Sequence, residues 1–414
     1  MAAVAGSKGR IRLTAPARSS ARFVDQASIA SDVLGGELSS RHAASFLLER
    51  SGLREVGVDT NMVCNLKCTY CYLNDREEQK GTLDLGVAAD FLESCVDSGA
   101  KLIAFIGKEP LADERALTIA RHLKTKSLGK QFRTGMVTNG TLIKRRLAQL
   151  SEAKLDYLDV SLDGFSEQND LVRGEGAFDA AIQGLRAVSN ANIADDLAVT
   201  SVLHMQSQTR YVEFASEMFD LGVTTCFSSP VLNFATSNTR GVLPLALHMD
   251  AVVRHYERLA GWASKQNLTL ADGRQILVDL PYRYSWMMLS EGRIEAKDVF
   301  QDAYEAHYWQ PDSAIPVFVK LNFLPQSYWR AFRMTHDGRL LLNMDLAAHR
   351  DYRSVSDELD NGSRAWWSGG HANEAHDVLT NFFDQILGAL GRSAPECDRE
   401  LDGQFRSMRP LVAA

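Results

Sequence analysis

Between residues 55 and 231, short apolar runs alternate with stretches of helical periodicity. The runs are Glu55–Thr60, Leu102–Gly107, Phe132–Asn139, Tyr157–Asp163, Leu197–His204 and Thr224–Val231. Several are rich in Val, Ile, Phe and Leu, and some end in Gly or Asn, as strands that open into loops do. Between them lie helical patterns such as Leu83–Ser98, Asp113–Lys124, Ala177–Ser189 and Arg210–Leu221. A strand–helix repeat of this kind predicts an α/β fold, with a parallel sheet and helices outside it. With right-handed crossovers, six units predict a partial (β/α)6 TIM-like barrel. In such barrels the chemistry gathers at the C-terminal ends of the strands.

The flanks read differently. Residues 1–22 are small, basic and polar, and are expected to be a disordered leader, with a transit peptide as the alternative. Residues 23–54 are expected to form a helical connector outside the barrel, residues 55–240 the barrel, and residues 241–414 an α+β extension. In the extension, Pro244–Gln266 reads as a helix. Phe332–Met344 reads as a hairpin, with His336-Asp337-Gly338 at the turn. Ala372–Leu390 has apolar residues at 378, 379, 382, 383, 386 and 387, one face of a helix. The tail after Gly391 is expected to be loosely ordered.

Charge and composition narrow the partners. Lys and Arg number 45 and Asp and Glu 52, a net charge of −7 that favours neither nucleic acid nor an acidic membrane. No apolar run approaches the roughly 20 residues that span a bilayer, and residues 1–20 lack the apolar stretch of a signal peptide, so none is expected. Six cysteines in 414 residues do not make a disulfide framework. The reducing cytoplasm is the expected compartment.

Three of those cysteines stand together in Cys64-Asn65-Leu66-Lys67-Cys68-Thr69-Tyr70-Cys71. Thiolates at this C-x3-C-x2-C spacing suit three corners of a four-iron cluster and leave the fourth iron without a protein ligand. An open iron is a place where a substrate or cofactor binds directly. The competing reading is a zinc knuckle, but no His or Cys follows within twenty residues of Cys71 to act as fourth ligand. Cys95 and Cys226 read as small buried hydrophobes, and Cys397 stands alone.

The spacing, with an aromatic before the third cysteine, resembles the radical S-adenosylmethionine (SAM) superfamily. Further segments carry the resemblance in the expected order. Gly107-Lys108-Glu109-Pro110 resembles the family's Gly-Gly-Glu-Pro motif, which meets the SAM amino group. Lys108 departs from the second glycine, which a lysine tolerates where φ stays negative. Thr138-Asn139-Gly140 ends the third strand, where a plain turn is the rival reading. Ser161 to Phe178 resembles a segment of relatives that carry a SPASM or twitch extension, in which the Ser and the Arg bind SAM. On this chain those are Ser161 and Arg173, and a guanidinium fork suits the methionine carboxylate.

The resemblance thus implies a [4Fe-4S] cluster on Cys64, Cys68 and Cys71, and SAM held by Tyr70, Gly107, Lys108, Glu109, Asn139, Ser161 and Arg173. It implies an outside one-electron donor of flavodoxin or ferredoxin type. The reduced cluster then cleaves SAM to methionine and a 5′-deoxyadenosyl radical, which takes hydrogen from an unactivated carbon.

The segment Phe332 to Arg353 has the shape of a SPASM entry hairpin, but Leu342, Asn343 and Met344 stand where the first auxiliary cysteine is expected. The expectation is a degenerate SPASM/twitch-like extension without a cluster. With no auxiliary electron acceptor, redox-neutral outcomes are favoured: decarboxylation, epimerisation, elimination or rearrangement. The expected substrate is a small polar metabolite such as a sugar, nucleoside or amino-acid intermediate. A maturase acting on a ribosomally made peptide is one alternative, and an iron–sulfur electron-transfer or sensor protein another. His204, His336, Asp337 and Asp345 are candidates to face substrate, against packed or turn roles. Trp366-Trp367 reads as a packing anchor.

Overall fold

The computed structural model describes residues 24–50, 52–71, 83–127, 129–204, 207–230, 249–302, 306–324, 330–338, 340–341 and 372–390. Two helices, α1 (Gln26–Gly35) and α2 (Ser40–Glu49), precede the first strand. Asp25 caps α1 by accepting from the Ser28 N–H, and Ser39 caps α2 by accepting from His42 N–H.

Six strands follow the apolar runs: β1 (Glu55–Asp59), β2 (Leu102–Ile106), β3 (Arg133–Thr138), β4 (Tyr157–Ser161), β5 (Asp196–Leu203) and β6 (Thr225–Pro230). Each pairs in parallel with the next. The intervening helices are α3 (Leu85–Asp97), α4 (Arg115–Lys126), α5 (Ile143–Ala153), α6 (Ser166–Arg173), α7 (Ala177–Ala191) and α8 (Tyr211–Asp220). This is the expected partial TIM-like barrel.

The sheet extends past both ends of the six. After helix α9 (Met249–Lys265), strand β7 (Gln275–Leu280) pairs in parallel with β6. After α10 (Tyr282–Ser290) come the short strands β8 (Phe300–Gln301) and β9 (His307–Trp309), then β10 (Val317–Leu321). Strand β10 lies parallel to β7 and antiparallel to β9. On the other edge, β11 (Ala331–Met334) lies parallel to β1 and turns back into β12 (Leu340–Leu341). The twelve strands run in the order β12-β11-β1-β2-β3-β4-β5-β6-β7-β10-β9-β8.

The β11–β12 pair is the hairpin read from the sequence, and its turn is closed by Gly338 N–H donating to Thr335 O. Gly338 has φ +81°, a conformation that glycine supplies without strain. The last helix, α11 (Ala372–Leu390), buries Leu379, Phe382, Phe383 and Ile386, the predicted apolar face. Its His376 meets Ser45 of α2 at 3.1 Å.

Strand residues alternate between two surroundings. Val56, Val58, Leu158, Val160, Val278 and Val319 join the large core beneath the helices. Their neighbours face the barrel lumen, where the only second apolar cluster among the described residues is Leu277, Tyr308 and Phe318. Bulky branched residues usually fill the inside of a closed barrel. Here the small residues Gly57, Ala104, Gly135 and Ala198 stand on that face, the Tyr157 ring lies over Gly135 and Ile106 against Gly57, and polar side chains share the face: Asp59, Asp159, Thr200, Asp279, Lys320 and Arg333.

Candidate metal centre and cofactor site

The cysteine segment leaves β1 and is pinned at three places. Glu109 N–H donates to Val63 O at 3.1 Å, Asn65 Nδ2 to Thr141 Oγ1 at 2.8 Å, and Thr69 N–H to Val172 O at 2.9 Å. The loop is thereby tied to the ends of β2 and β3 and to α6. Cys64, Cys68 and Cys71 are half-buried and in no disulfide, while Cys95 and Cys226 are fully buried in α3 and β6.

The donor set fits an iron–sulfur cluster better than zinc. A tetrahedral zinc with Zn–S near 2.3 Å would draw its sulfurs to roughly 4 Å from one another. Among the described residues, the three Sγ atoms do not form a group lying wholly within 4.8 Å. Cys64 Sγ already accepts from Leu66 N–H at 3.4 Å and Asn139 Nδ2 at 3.7 Å; burial raises its pKa, and these two contacts oppose the rise. Burial pushes the Cys68 thiol up to about 11, and the Arg173 guanidinium opposes the rise.

The turn after β2 holds Glu109, which is fully buried. Its Oε1 accepts from Leu111 N–H at 2.9 Å and Thr138 Oγ1 at 2.6 Å, and its Oε2 from Asn139 N–H at 2.8 Å. Burial raises its pKa and these bonds counter it. A carboxylate offers about four acceptor positions, so three donors leave one for an ammonium. Gly107 has φ +110°, whereas Lys108 is absent from the residues with positive φ, so the lysine sits in that motif without backbone strain.

Asn139 bridges two of the motifs. Its backbone meets Glu109, and its side chain meets Asn65 Oδ1 at 3.0 Å as well as the Cys64 sulfur. Ser161 ends β4, half-buried and on the lumen face.

Sequence reasoning did not single out Asp163. It is fully buried, and Arg173 grips it with Nε to Oδ2 at 2.7 Å and Nη2 to Oδ1 at 3.1 Å. The Tyr70 hydroxyl donates to the same Oδ2, and Val202 N–H donates to Oδ1 at 2.8 Å. Tyr70 lies beneath the guanidinium at 5.6 Å. Asp163 therefore ties together β5, α6 and the cysteine loop. Its signal in the sequence was its place within the Ser161-to-Phe178 segment.

His204 and His336 are buried, and Asp337 accepts from the Thr335 hydroxyl in the hairpin turn. Asp345, Trp366, Trp367, Cys397 and the 342–344 segment lie outside the described residues.

A parallel barrel with three thiols after β1, and polar turns after β2, β3 and β4 meeting at the same mouth, defines an iron–sulfur barrel protein. Residues 60–210 match the family model described as Radical SAM superfamily. That family's cofactors are a [4Fe-4S] cluster and SAM, which these residues fit. The chain is 35% identical over 175 residues to an Fe-coproporphyrin III synthase of Methanosarcina barkeri, covering 41% of this chain and 43% of that protein. It is 30% identical over 132 residues to a probable GTP 3′,8-cyclase of Methanocella arvoryzae, covering 31% and 41%. The chain thus spans less than half the length of these curated relatives. Its fold is similar to that of SuiB from Streptococcus suis, crystallised with S-adenosylmethionine. The TM-score is 0.59 at 14% identity, covering 79% of this chain and 68% of SuiB. No helix among the described residues is long and apolar enough to cross a membrane.

Proposed function

We propose that this protein is a radical SAM enzyme acting on a small polar metabolite, such as a sugar, nucleoside or amino-acid intermediate. In this reading Cys64, Cys68 and Cys71 hold the cluster. Glu109 receives the SAM ammonium, Arg173 and Ser161 its carboxylate, and Tyr70, Gly107, Lys108 and Asn139 line the remainder. When bound, the cluster and SAM supply hydrogen-atom abstraction from an unactivated carbon. The protein's part is to fix SAM and substrate and to keep water away.

The observation that carries the substrate reading is the polar lumen. Thr200 Oγ1 donates to Asp159 Oδ2 at 2.6 Å, two residues below Ser161 on the same face of β4. Across the lumen, Lys320 Nζ stands 3.5 Å from Asp279, which also accepts from Asn322 Nδ2 at 2.9 Å. Hydroxyl, carboxylate, amide and ammonium groups on facing strands suit a molecule dense in polar groups.

The outcome we favour is redox-neutral, with the electron supplied by an outside donor of flavodoxin or ferredoxin type in a cytoplasmic setting. A peptide substrate is the second reading. It draws on the fold shared with SuiB, which has also been crystallised with its precursor peptide SuiA. Reduced protein given SAM and either a small-molecule filtrate or a peptide fraction of cell extract separates the two. The first reading expects the filtrate to stimulate 5′-deoxyadenosine release. Stimulation by the peptide fraction alone would replace it with the second.

A further inference from the structure

We infer that Arg333 is a positioning residue of the SAM site: its grip on Asp59 holds the Gly107-Lys108-Glu109 turn in its binding shape. The inference rests on the SAM-binding reading above.

Arg333 lies on β11, opposite Gly57 of β1, and Asp59 is two residues further along the same face of β1. Its Nε meets Asp59 Oδ2 at 2.7 Å and its Nη2 meets Oδ1 at 2.6 Å. The two side chains are 0% and 3% exposed. The partners are separated by 274 residues in sequence.

The Asp59 carboxylate lies close against the motif after β2, through the same Oδ1 that Arg333 Nη2 binds. A Cβ placed at position 107 would lie 2.6 Å from Asp59 Oδ1 and 3.1 Å from Asp59 Cγ. The carboxylate is therefore the floor on which the Gly107 turn rests, and Gly107 is a glycine both for its φ of +110° and for this contact. Glu109 is two residues on, bonded to the turns after β2 and β3.

A carboxylate this deeply buried needs a charged, hydrogen-bonding partner, because an unpaired buried charge is strongly destabilising. Arg333 is that partner, and its planar fork fixes the carboxylate at both oxygens. Without it, the buried carboxylate is left unpaired and unanchored, and the turn above it loses its floor. Asp59 and Arg333 both lie outside the matched 60–210 stretch. On this account that stretch is insufficient for SAM binding, which draws on the strand that follows residue 330.

The test uses full-length protein reconstituted without oxygen. Iron per chain and the visible absorption of the cluster report whether the site survives, and equilibrium dialysis with labelled SAM reports affinity. Arg333→Lys keeps the charge and loses the fork. Asp59→Asn with Arg333→Gln leaves a neutral hydrogen-bonding pair. Both are expected to keep cluster iron and to bind SAM about tenfold or more weakly.

A third readout needs no variant. In the wild type, SAM is expected to slow hydrogen exchange in 331–335 together with 107–111. A variant with an intact cluster and wild-type SAM affinity would overturn the inference. So would exchange slowed at 107–111 and unchanged at 331–335. Wild-type protein that carries its cluster yet binds no SAM would instead overturn the reading beneath it.

Discussion

Arg173, the residue expected to receive the SAM carboxylate, is held by Asp163 through two bonds of 2.7 and 3.1 Å. The pair orients the guanidinium before any ligand arrives. Nη1 makes no hydrogen bond among the described residues, so one face of the fork remains for a second carboxylate.

Asp163→Asn should therefore damage two properties together. Removing one partner of a buried ion pair costs about 3–5 kcal/mol, and the freed Arg173 and Tyr70 lose their common anchor. Urea melts are expected to show that loss, and SAM affinity should fall with it. A variant that melts like the wild type would show that Asp163 anchors nothing.

Gly107→Ala tests the floor beneath the SAM turn. An added methyl meets Asp59 Oδ1 at 2.6 Å, on top of the strain of φ +110°. Gly129→Ala is the control, since Gly129 has φ +86° and nothing within 4 Å of the added atom. The control should lose only the backbone term of about 1 kcal/mol. Gly107→Ala should lose clearly more, and SAM binding as well. Equal losses at the two positions would mean that the Asp59 contact is soft.

The lumen carboxylate Asp159 gives a pH-dependent prediction. Burial raises its pKa from 3.8 to about 6, and its Oδ1 has no hydrogen-bond partner among the described residues. A folded-state pKa above the unfolded value costs stability. The cost is complete above about pH 6 and fades as pH falls toward 4. Asp159→Asn keeps an acceptor for Thr200 and removes the charge. It should raise stability by on the order of 2 kcal/mol near pH 8 and by little near pH 4. Urea midpoints of both proteins at the two pH values check this, and a gain independent of pH would assign it to packing.

Much of the barrel was legible from local signals. The six strands from β1 to β6 carry dense apolar runs, and their helices show clear faces, so periodicity alone located them. Strands β7 and β10 were not read, although Gln275–Leu280 and Val317–Leu321 are as apolar. Their identity as barrel strands depends on pairing with β6 and with each other, which no local pattern announces. The site divided in the same way. The cysteine spacing and the polar turns stood out because each is a short contiguous motif. Asp59 with Arg333 is invisible in sequence, because a single Asp and a single Arg at the ends of two distant strands carry no signal until the strands pair. The φ of Lys108 likewise came only from the backbone.

The measurement that tests the central claim most directly is made on protein reconstituted and reduced without oxygen, with Cys68→Ala beside it. Iron per chain and 5′-deoxyadenosine formed from SAM are the two readouts. The account predicts about four irons per chain and deoxyadenosine that disappears in the variant. Bound zinc in place of iron, or a full cluster with no SAM binding or cleavage, would contradict it.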